Sequence, residues 1–122
     1  MRNYKKIKAW MLADDVAVAI YAVTDDFPRS ELYGLTSQLR RATASVPANI
    51  AEGASRASRK DYLHFLNIAH GSLVEVECFL HLAERLGFLY GQKAVAMGTE
   101  INSCFACLHG LVKAVEAEYS NR

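Results

Sequence analysis

Apolar residues recur at alternating steps of three and four between residues 32 and 53, and this spacing is the strongest constraint on the fold. Such spacing keeps apolar side chains on one face of an α-helix. The positions in this seam are Leu32, Leu35, Leu39, Ala42, Val46, Asn49 and Gly53. Pro47 lies inside the seam, where it removes one backbone donor and crowds the preceding turn. We therefore expect a long helix that is bent at Pro47.

Three further segments carry the same spacing, so the sequence predicts four helices. The first is expected from Ile7 to Val23, and the second from near Ser30 to Ala54. The third is expected to start at Ser58-Arg59-Lys60-Asp61, which resembles a capping box. Its core positions are Leu66, Ala69, Leu73, Val76, Leu80 and Ala83. After a turn bracketed by Gly87 and Gly91, the last helix presents Ala94, Met97, Ile101, Cys104, Leu108, Leu111 and Val115.

Short connections make consecutive helices antiparallel neighbours. The chain has only two prolines, Pro28 and Pro47, so little interrupts long helices. Its length of 122 residues is typical of one domain. We predict an all-α fold, an up-and-down antiparallel four-helix bundle in which residues 1–122 form a single domain.

The third helix carries a second line of large apolar residues beside its core line. These residues are Phe65, Ile68, Phe79, Leu82 and Leu86. One line fills the core of a bundle, and the surplus needs another partner. Another copy of the chain is the most economical partner, so we predict that this second line is an oligomer interface.

Charge is unevenly distributed although the net charge is only +1. Residues 1–60 contain ten Lys and Arg against six Asp and Glu. Such asymmetry creates a basic face for nucleic acid, or lets two parts of the fold attract each other. The three cysteines and the lack of an uninterrupted apolar segment near the N-terminus favour reduced thiols, a cytoplasmic location and no membrane contact.

The basic residues with the most suggestive positions are Arg40, Arg41, Arg56, Arg59 and Lys60. They are candidates for RNA or DNA phosphate contacts, which give affinity with little sequence preference. The alternative for Arg40 and Arg41 is an ion pair with Glu52 or with an acid of a neighbouring subunit. We favour the structural role for these two residues and phosphate contacts for the three residues in the turn.

Asn49 and Glu52 are three residues apart and therefore adjacent on the helix. Pro47 leaves the Thr43 carbonyl without its usual helical donor. We predict a structural polar network of Asn49 and Glu52 around that opening.

No residue pattern amounts to an active site, and we predict a non-enzymatic protein without a metal or cofactor. A dinuclear bundle site needs two Glu-x-x-His pairs, and only Asp61-x-x-His64 approximates one. Glu77, His81 and Glu84 share a helix face, but solvent-facing charges explain them better. Cys104-x-x-Cys107 lies within the last helix, not at a helix N-terminus where a redox pair gains reactivity.

The segments 27–28, 31–42, 45–53 and 71–73 resemble a known family. Its members are bacterial four-helix-bundle proteins encoded within intervening sequences of large-subunit ribosomal RNA genes. The resemblance implies an up-and-down bundle that assembles as a ring, a homopentamer. A distantly similar group, the accessory proteins of diversity-generating retroelements, forms pentameric barrels with a basic surface and works with RNA and a reverse transcriptase.

Together these observations predict a self-assembling scaffold or adaptor. The alternative is a protein that binds RNA or DNA through a basic surface without sequence preference.

Overall fold

The computed structural model describes residues 2–120 and contains four long helices. They are α1 (Lys8–Thr24), α2 (Leu35–Ala54), α3 (Arg59–Arg85) and α4 (Gly91–Ser120). Two short 3-10 turns, Tyr4–Lys6 and Arg29–Glu31, precede α1 and α2. No strand occurs within this described part of the chain. The all-α prediction with four helices is confirmed.

The start of α2 differs from the sequence-based expectation. Residues near Ser30 form the 3-10 turn, and α2 begins only at Leu35 because Gly34 adopts a non-helical backbone with φ −112° and ψ −114°. The Glu31 carboxylate accepts a hydrogen bond from the Leu35 backbone N–H at 3.1 Å. Glu31 thus satisfies one of the N–H groups that a helix start leaves without a partner. Leu32, expected in the seam, precedes α2 and is exposed.

The connections around α3 agree with the sequence-based expectation. The Ser58 hydroxyl accepts a hydrogen bond from the Asp61 backbone N–H at 3.1 Å, as a capping residue does. Gly87 and Gly91 bracket the turn between α3 and α4, with φ of 77° and 63°. These values lie in the left-handed region that glycine adopts at little steric expense, which explains glycine at both positions.

The helices pack as consecutive neighbours, with α4 also against α1. Side-chain contacts show that α1 and α2 run in opposite directions, because Arg2 contacts the end of α2 and Arg40 contacts the end of α1. The edge-to-face contact of the His70 and Phe105 rings, whose centroids are 5.6 Å apart, fixes the level of α4 against α3. The predicted core line of α3 is buried throughout, as are Met97, Ile101, Cys104, Leu108 and Val115 of α4.

The seam of α2 is confirmed at most positions but not at Asn49, which is only half-buried. Ile50 takes the core position beside it and is fully buried. Pro47 lies within α2, which continues through it without a break. The Thr43 hydroxyl is buried one turn before Pro47 and has no hydrogen-bond partner within residues 2–120.

No helix in the same residues is long and apolar enough to cross a membrane.

Candidate functional site

A short chain of partly buried polar side chains links α2 to α3. The hydroxyls of Ser45 and Ser72 are 2.8 Å apart. The Asn49 side-chain amide donates to the Ser45 carbonyl at 2.8 Å and to the Ser45 hydroxyl at 2.9 Å. Because hydrogen-bonded polar groups at a helix contact are costly to misalign, this chain holds α2 and α3 in one register.

The structure does not join Asn49 to Glu52. Asn49 bonds to Ser45, whereas the Glu52 carboxylate pairs with Arg56 at 2.5 Å on the surface. The predicted polar network therefore consists of Asn49, Ser45 and Ser72. Ser72 was missed by sequence reasoning, since its importance depends on α3 lying beside α2.

The helices α2 and α3 approach each other closely at Gly53. A Cβ atom at this position would lie 3.0 Å from Phe65 Cβ, 3.0 Å from Tyr62 Cδ1 and 3.1 Å from the Tyr62 carbonyl oxygen. Glycine is required here for space rather than for a special backbone angle. Burial raises the pKa of the Tyr62 phenol above 10.0, although the nearby Arg2 guanidinium acts in the opposite direction.

Arg2 secures the same end of the bundle. Its Nη1 donates to the carbonyls of Ala54 at 3.3 Å and Arg56 at 3.0 Å. Its guanidinium also lies 4.6 Å from the centroid of the Tyr62 ring. The last carbonyls of a helix have no intrahelical donor, so Arg2 satisfies the Ala54 carbonyl that α2 leaves open, together with the Arg56 carbonyl just beyond the helix. Sequence reasoning missed this residue because nothing near it in the chain indicates its contact.

Three of the five predicted phosphate-binding residues lie at this end. Arg56 pairs with Glu52 and stacks 4.7 Å from the centroid of the Phe65 ring. Arg59 donates to the Glu116 carbonyl at 3.5 Å, while Lys60 is exposed. A cavity of about 490 Å³ opens beside them, lined by Arg2, Ala57, Ser58, Arg59, Lys60, Leu63, Val115 and Glu118.

Arg40 and Arg41 lie elsewhere, roughly 20 Å along the helix at 1.5 Å per residue. Arg40 donates to the Thr24 hydroxyl at 2.9 Å and to the Asp25 carboxylate at 3.0 Å. It also stacks 4.8 Å from the centroid of the Tyr21 ring. Arg40 thus forms its ion pair with Asp25 and not with Glu52. An ion pair within the chain is nevertheless the kind of structural role that we favoured for Arg40. Arg41 is exposed.

The second apolar line of α3 faces outward beside α2, and we call it the α3 ridge. Ile68, Leu82 and Leu86 are 39%, 45% and 52% exposed. Phe65 and Phe79 are half-buried, and Phe79 packs partly against the core. A single copy of the chain therefore leaves much of this ridge in contact with water.

The histidines and cysteines are dispersed. Within residues 2–120 no group of three or more His, Cys, Asp or Glu side chains is placed to hold a metal ion. Glu77, His81 and Glu84 line a groove of about 290 Å³ between α3 and α4. Cys104 is buried in the core, and burial raises the pKa of its thiol to about 11, with a smaller effect from Cys107. Such a thiol is a packing group, as its heptad position indicated.

Comparison with known proteins identifies the family. The model of the 23S rRNA-intervening sequence protein family matches residues 5–110. The chain belongs to this family. The family inferred from the motifs at residues 27–53 and 71–73 is therefore confirmed. Comparison with curated proteins found no match.

A solved structure shares the fold of this rRNA-intervening sequence family member. It is a protein of unknown function from the S23 ribosomal protein family of Bacteroides thetaiotaomicron. The TM-score is 0.79 at 23% sequence identity, and the alignment covers 86% of this chain and 95% of the other. The family match includes the Ser45–Ser72 contact, Gly53 and the α3 ridge, whereas Arg2 lies outside the matched residues.

Proposed function

We propose that this rRNA-intervening sequence family member is a non-enzymatic scaffold or adaptor that assembles with copies of itself into a closed ring. The observation that carries the proposal is the α3 ridge, with Ile68, Leu82 and Leu86 each more than a third exposed on one helix face. Full burial of one such side chain contributes roughly 1.5–3 kcal/mol of stabilisation. Covering the three half-exposed side chains would therefore contribute roughly 2–4 kcal/mol to each interface between two copies.

Other features fit this proposal. The polar side chains of the central motif serve helix packing, because Ser45 contacts Ser72 of α3 and Asn49 donates to Ser45 within α2, which suits a structural role. The homopentamer implied by the family resemblance is the expected ring size. Three free cysteines accord with a reducing compartment such as the cytoplasm.

We further propose that Pro47 bends α2. The proline ring cannot donate to the Thr43 carbonyl and crowds the preceding turn, which is the usual cause of a helix kink. The Pro47→Ala variant should straighten α2. A crystal structure pair in which the wild-type and variant helix axes are equally straight would contradict the bend.

Mass measurement in solution tests the ring. Light scattering of the wild-type chain should give a multiple of 13.5 kDa, five copies if the ring is a pentamer. Leu82→Asp should reduce the mass to that of one chain, because a charge would be forced into a dry contact. Val74→Asp is the matched control, since Val74 is 43% exposed on the same helix but points away from most of the ridge. A wild-type monomer would refute the proposal.

A second candidate function is nucleic-acid binding at the basic end of the bundle. The supporting observation is that Arg2, Arg59 and Lys60, from two separate segments, line one cavity. Lys5 and Lys6 belong to the turn just beyond Arg2. Cations gathered in this way attract phosphate groups without reading the bases.

Binding of labelled RNA and DNA measured at several salt concentrations tests this candidate. Lys60→Gln should weaken binding of all sequences and reduce the salt slope by about 1. Lys93→Gln is the control, because Lys93 pairs with Asp26 at the opposite end of the bundle. Equal effects of the two variants, or no binding at low salt, would eliminate the candidate.

A further inference from the structure

The cavity at the basic end of the bundle is built from three separate parts of the chain. Arg2 precedes α1, residues 57–60 lead into α3, and Val115 and Glu118 lie near the end of α4. The cavity volume of about 490 Å³ falls within the range of roughly 300–1,000 Å³ that small-molecule sites occupy. The nucleic-acid candidate above places phosphate groups here, and this inference, which rests on that candidate, specifies which phosphate.

The fold holds two of the three cations that line the cavity. Arg2 donates from Nη1 to two carbonyls at and just beyond the end of α2, and its guanidinium lies 4.6 Å from the centroid of the Tyr62 ring. Both bonds come from one nitrogen of the guanidinium, which carries further N–H donors. Arg59 donates to the Glu116 carbonyl at 3.5 Å and so ties the start of α3 to α4. Side chains that are held before a ligand arrives lose less conformational entropy on binding.

The start of α3 adds a weaker attraction for negative charge. Lys60 is the second residue of this 27-residue helix, and its exposed side chain is the third cation of the cavity. The first turn of a helix carries a partial positive charge, which favours an anion beside it. The helix start and the cationic side chains therefore act on the same ligand.

The charge of the lining distinguishes between kinds of phosphate. Arg2, Arg59 and Lys60 face one carboxylate, that of Glu118, which leaves an excess of two positive charges. A phosphate monoester carries roughly −1.5 to −2 charges at neutral pH, whereas an internal phosphodiester of a strand carries only about one negative charge. The lining therefore matches a monoester more closely than a phosphodiester.

Apolar side chains complete the lining. Leu63 is half-buried, and Val115 is only 4% exposed. Leu63 follows Lys60 by three residues, so the two lie on the same side of α3. Inorganic phosphate has no group that gains from an apolar surface, whereas a sugar or a base does. The lining therefore suits an organic phosphate.

We propose that this cavity binds the phosphate monoester of a nucleotide in preference to internal phosphodiesters. A phosphorylated end of a nucleic-acid strand and a free nucleoside monophosphate both present this chemistry. The Glu118 carboxylate repels a second phosphate group, so a monophosphate binds better than a diphosphate.

The preference for a strand end is tested with a short RNA that carries a label at an internal position. Three forms have a phosphate at one end, at the other end, or at neither. Fluorescence anisotropy should show that at least one phosphorylated form binds about tenfold more tightly than the unphosphorylated form, because hydrogen bonds to a charged group are strong. Equal affinities of the three forms overturn this inference but leave the nucleic-acid candidate standing.

Variants of two exposed lysines assign this preference to the cavity. Lys60→Gln should reduce the advantage of the phosphorylated RNA about threefold, because one of the three cations is lost. Lys93→Gln, at the opposite end of the bundle, should leave the advantage unchanged. Circular dichroism checks that both variants are folded. An equal reduction by the two variants overturns the inference.

Titration calorimetry with small molecules separates the two sources of the monoester. Adenosine monophosphate should bind more tightly than adenosine or inorganic phosphate, and Glu118→Gln should strengthen binding of adenosine diphosphate more than of the monophosphate. Phosphorylated RNA that binds more tightly than adenosine monophosphate assigns the cavity to strand ends. If no RNA binds at low salt, the nucleic-acid candidate fails, and adenosine monophosphate binding that Lys60→Gln weakens then assigns the cavity to free nucleotides. If neither phosphorylated RNA nor adenosine monophosphate binds, the inference is wrong.

Discussion

Replacing Gly53 with alanine tests the close approach of α2 and α3. On an exposed face of a helix, a Gly→Ala substitution stabilises the folded protein by up to about 1 kcal/mol. At Gly53 the new Cβ would lie 3.0 Å from Phe65 Cβ and 3.1 Å from the Tyr62 carbonyl oxygen. Neither atom can rotate away, because one is backbone and the other is bonded directly to it. Overpacking of this kind costs about 1–3 kcal/mol, so Gly53→Ala should range from neutral to about 2 kcal/mol destabilising.

Gly98→Ala is the matched control, since nothing lies within 4 Å of a Cβ at Gly98 in α4. It should stabilise by up to about 1 kcal/mol. Urea unfolding at one fixed protein concentration gives both values, and the fixed concentration removes any contribution from assembly. We expect the two variants to differ by about 1–3 kcal/mol. If Gly53→Ala stabilises as much as Gly98→Ala, the argument from close approach is wrong.

Two further predictions concern stability. Arg40→Ala should destabilise the folded chain by about 1–2 kcal/mol, because it loses the Thr24 hydrogen bond and the stacking on Tyr21. The control, Arg41→Ala at an exposed position, should change the free energy of unfolding by at most about 0.5 kcal/mol. Equal effects of the two variants in urea unfolding would contradict this prediction. The raised pKa of Cys104, about 11 against 9.0 for a free thiol, means that the unfolded chain loses this proton first as pH rises. The contribution of Cys104 to the free energy of unfolding is therefore complete below pH 9, and between pH 9 and pH 11 it falls by at most about 1.4 kcal/mol per pH unit. Cys104→Ala should flatten the dependence of unfolding free energy on pH in this range. An unchanged pH dependence would contradict the prediction.

Much of the helical fold could be predicted because it depends on local periodicity. The core line of α3 from Leu66 to Ala83 is buried as its spacing indicated. The capping of α3 by Ser58 was likewise readable, because a cap and its helix are neighbours in the chain. The start of α2 was not, because a 3-10 turn and a carboxylate from Glu31 displaced the helix by one turn.

The candidate site was predicted less completely because its contacts join distant residues. Arg2 satisfies carbonyls more than fifty residues away, and Arg40 reaches across to the end of α1. The sequence therefore suggested one basic cluster of Arg40, Arg41 and Arg56. In the structure most of the length of α2 separates Arg40 and Arg41 from Arg56.

The sequence by itself determined that this chain forms four helices, which faces of α3 are apolar, and to which family it belongs. The physical reason is that helical periodicity and capping depend only on residues a few positions apart in the sequence. Only the tertiary structure decided that Ser72 completes the contact of Asn49 with Ser45, that Gly53 is required for space, and that the ridge stays exposed. These features depend on which helices become neighbours and at what level, and this is set by packing of the whole core.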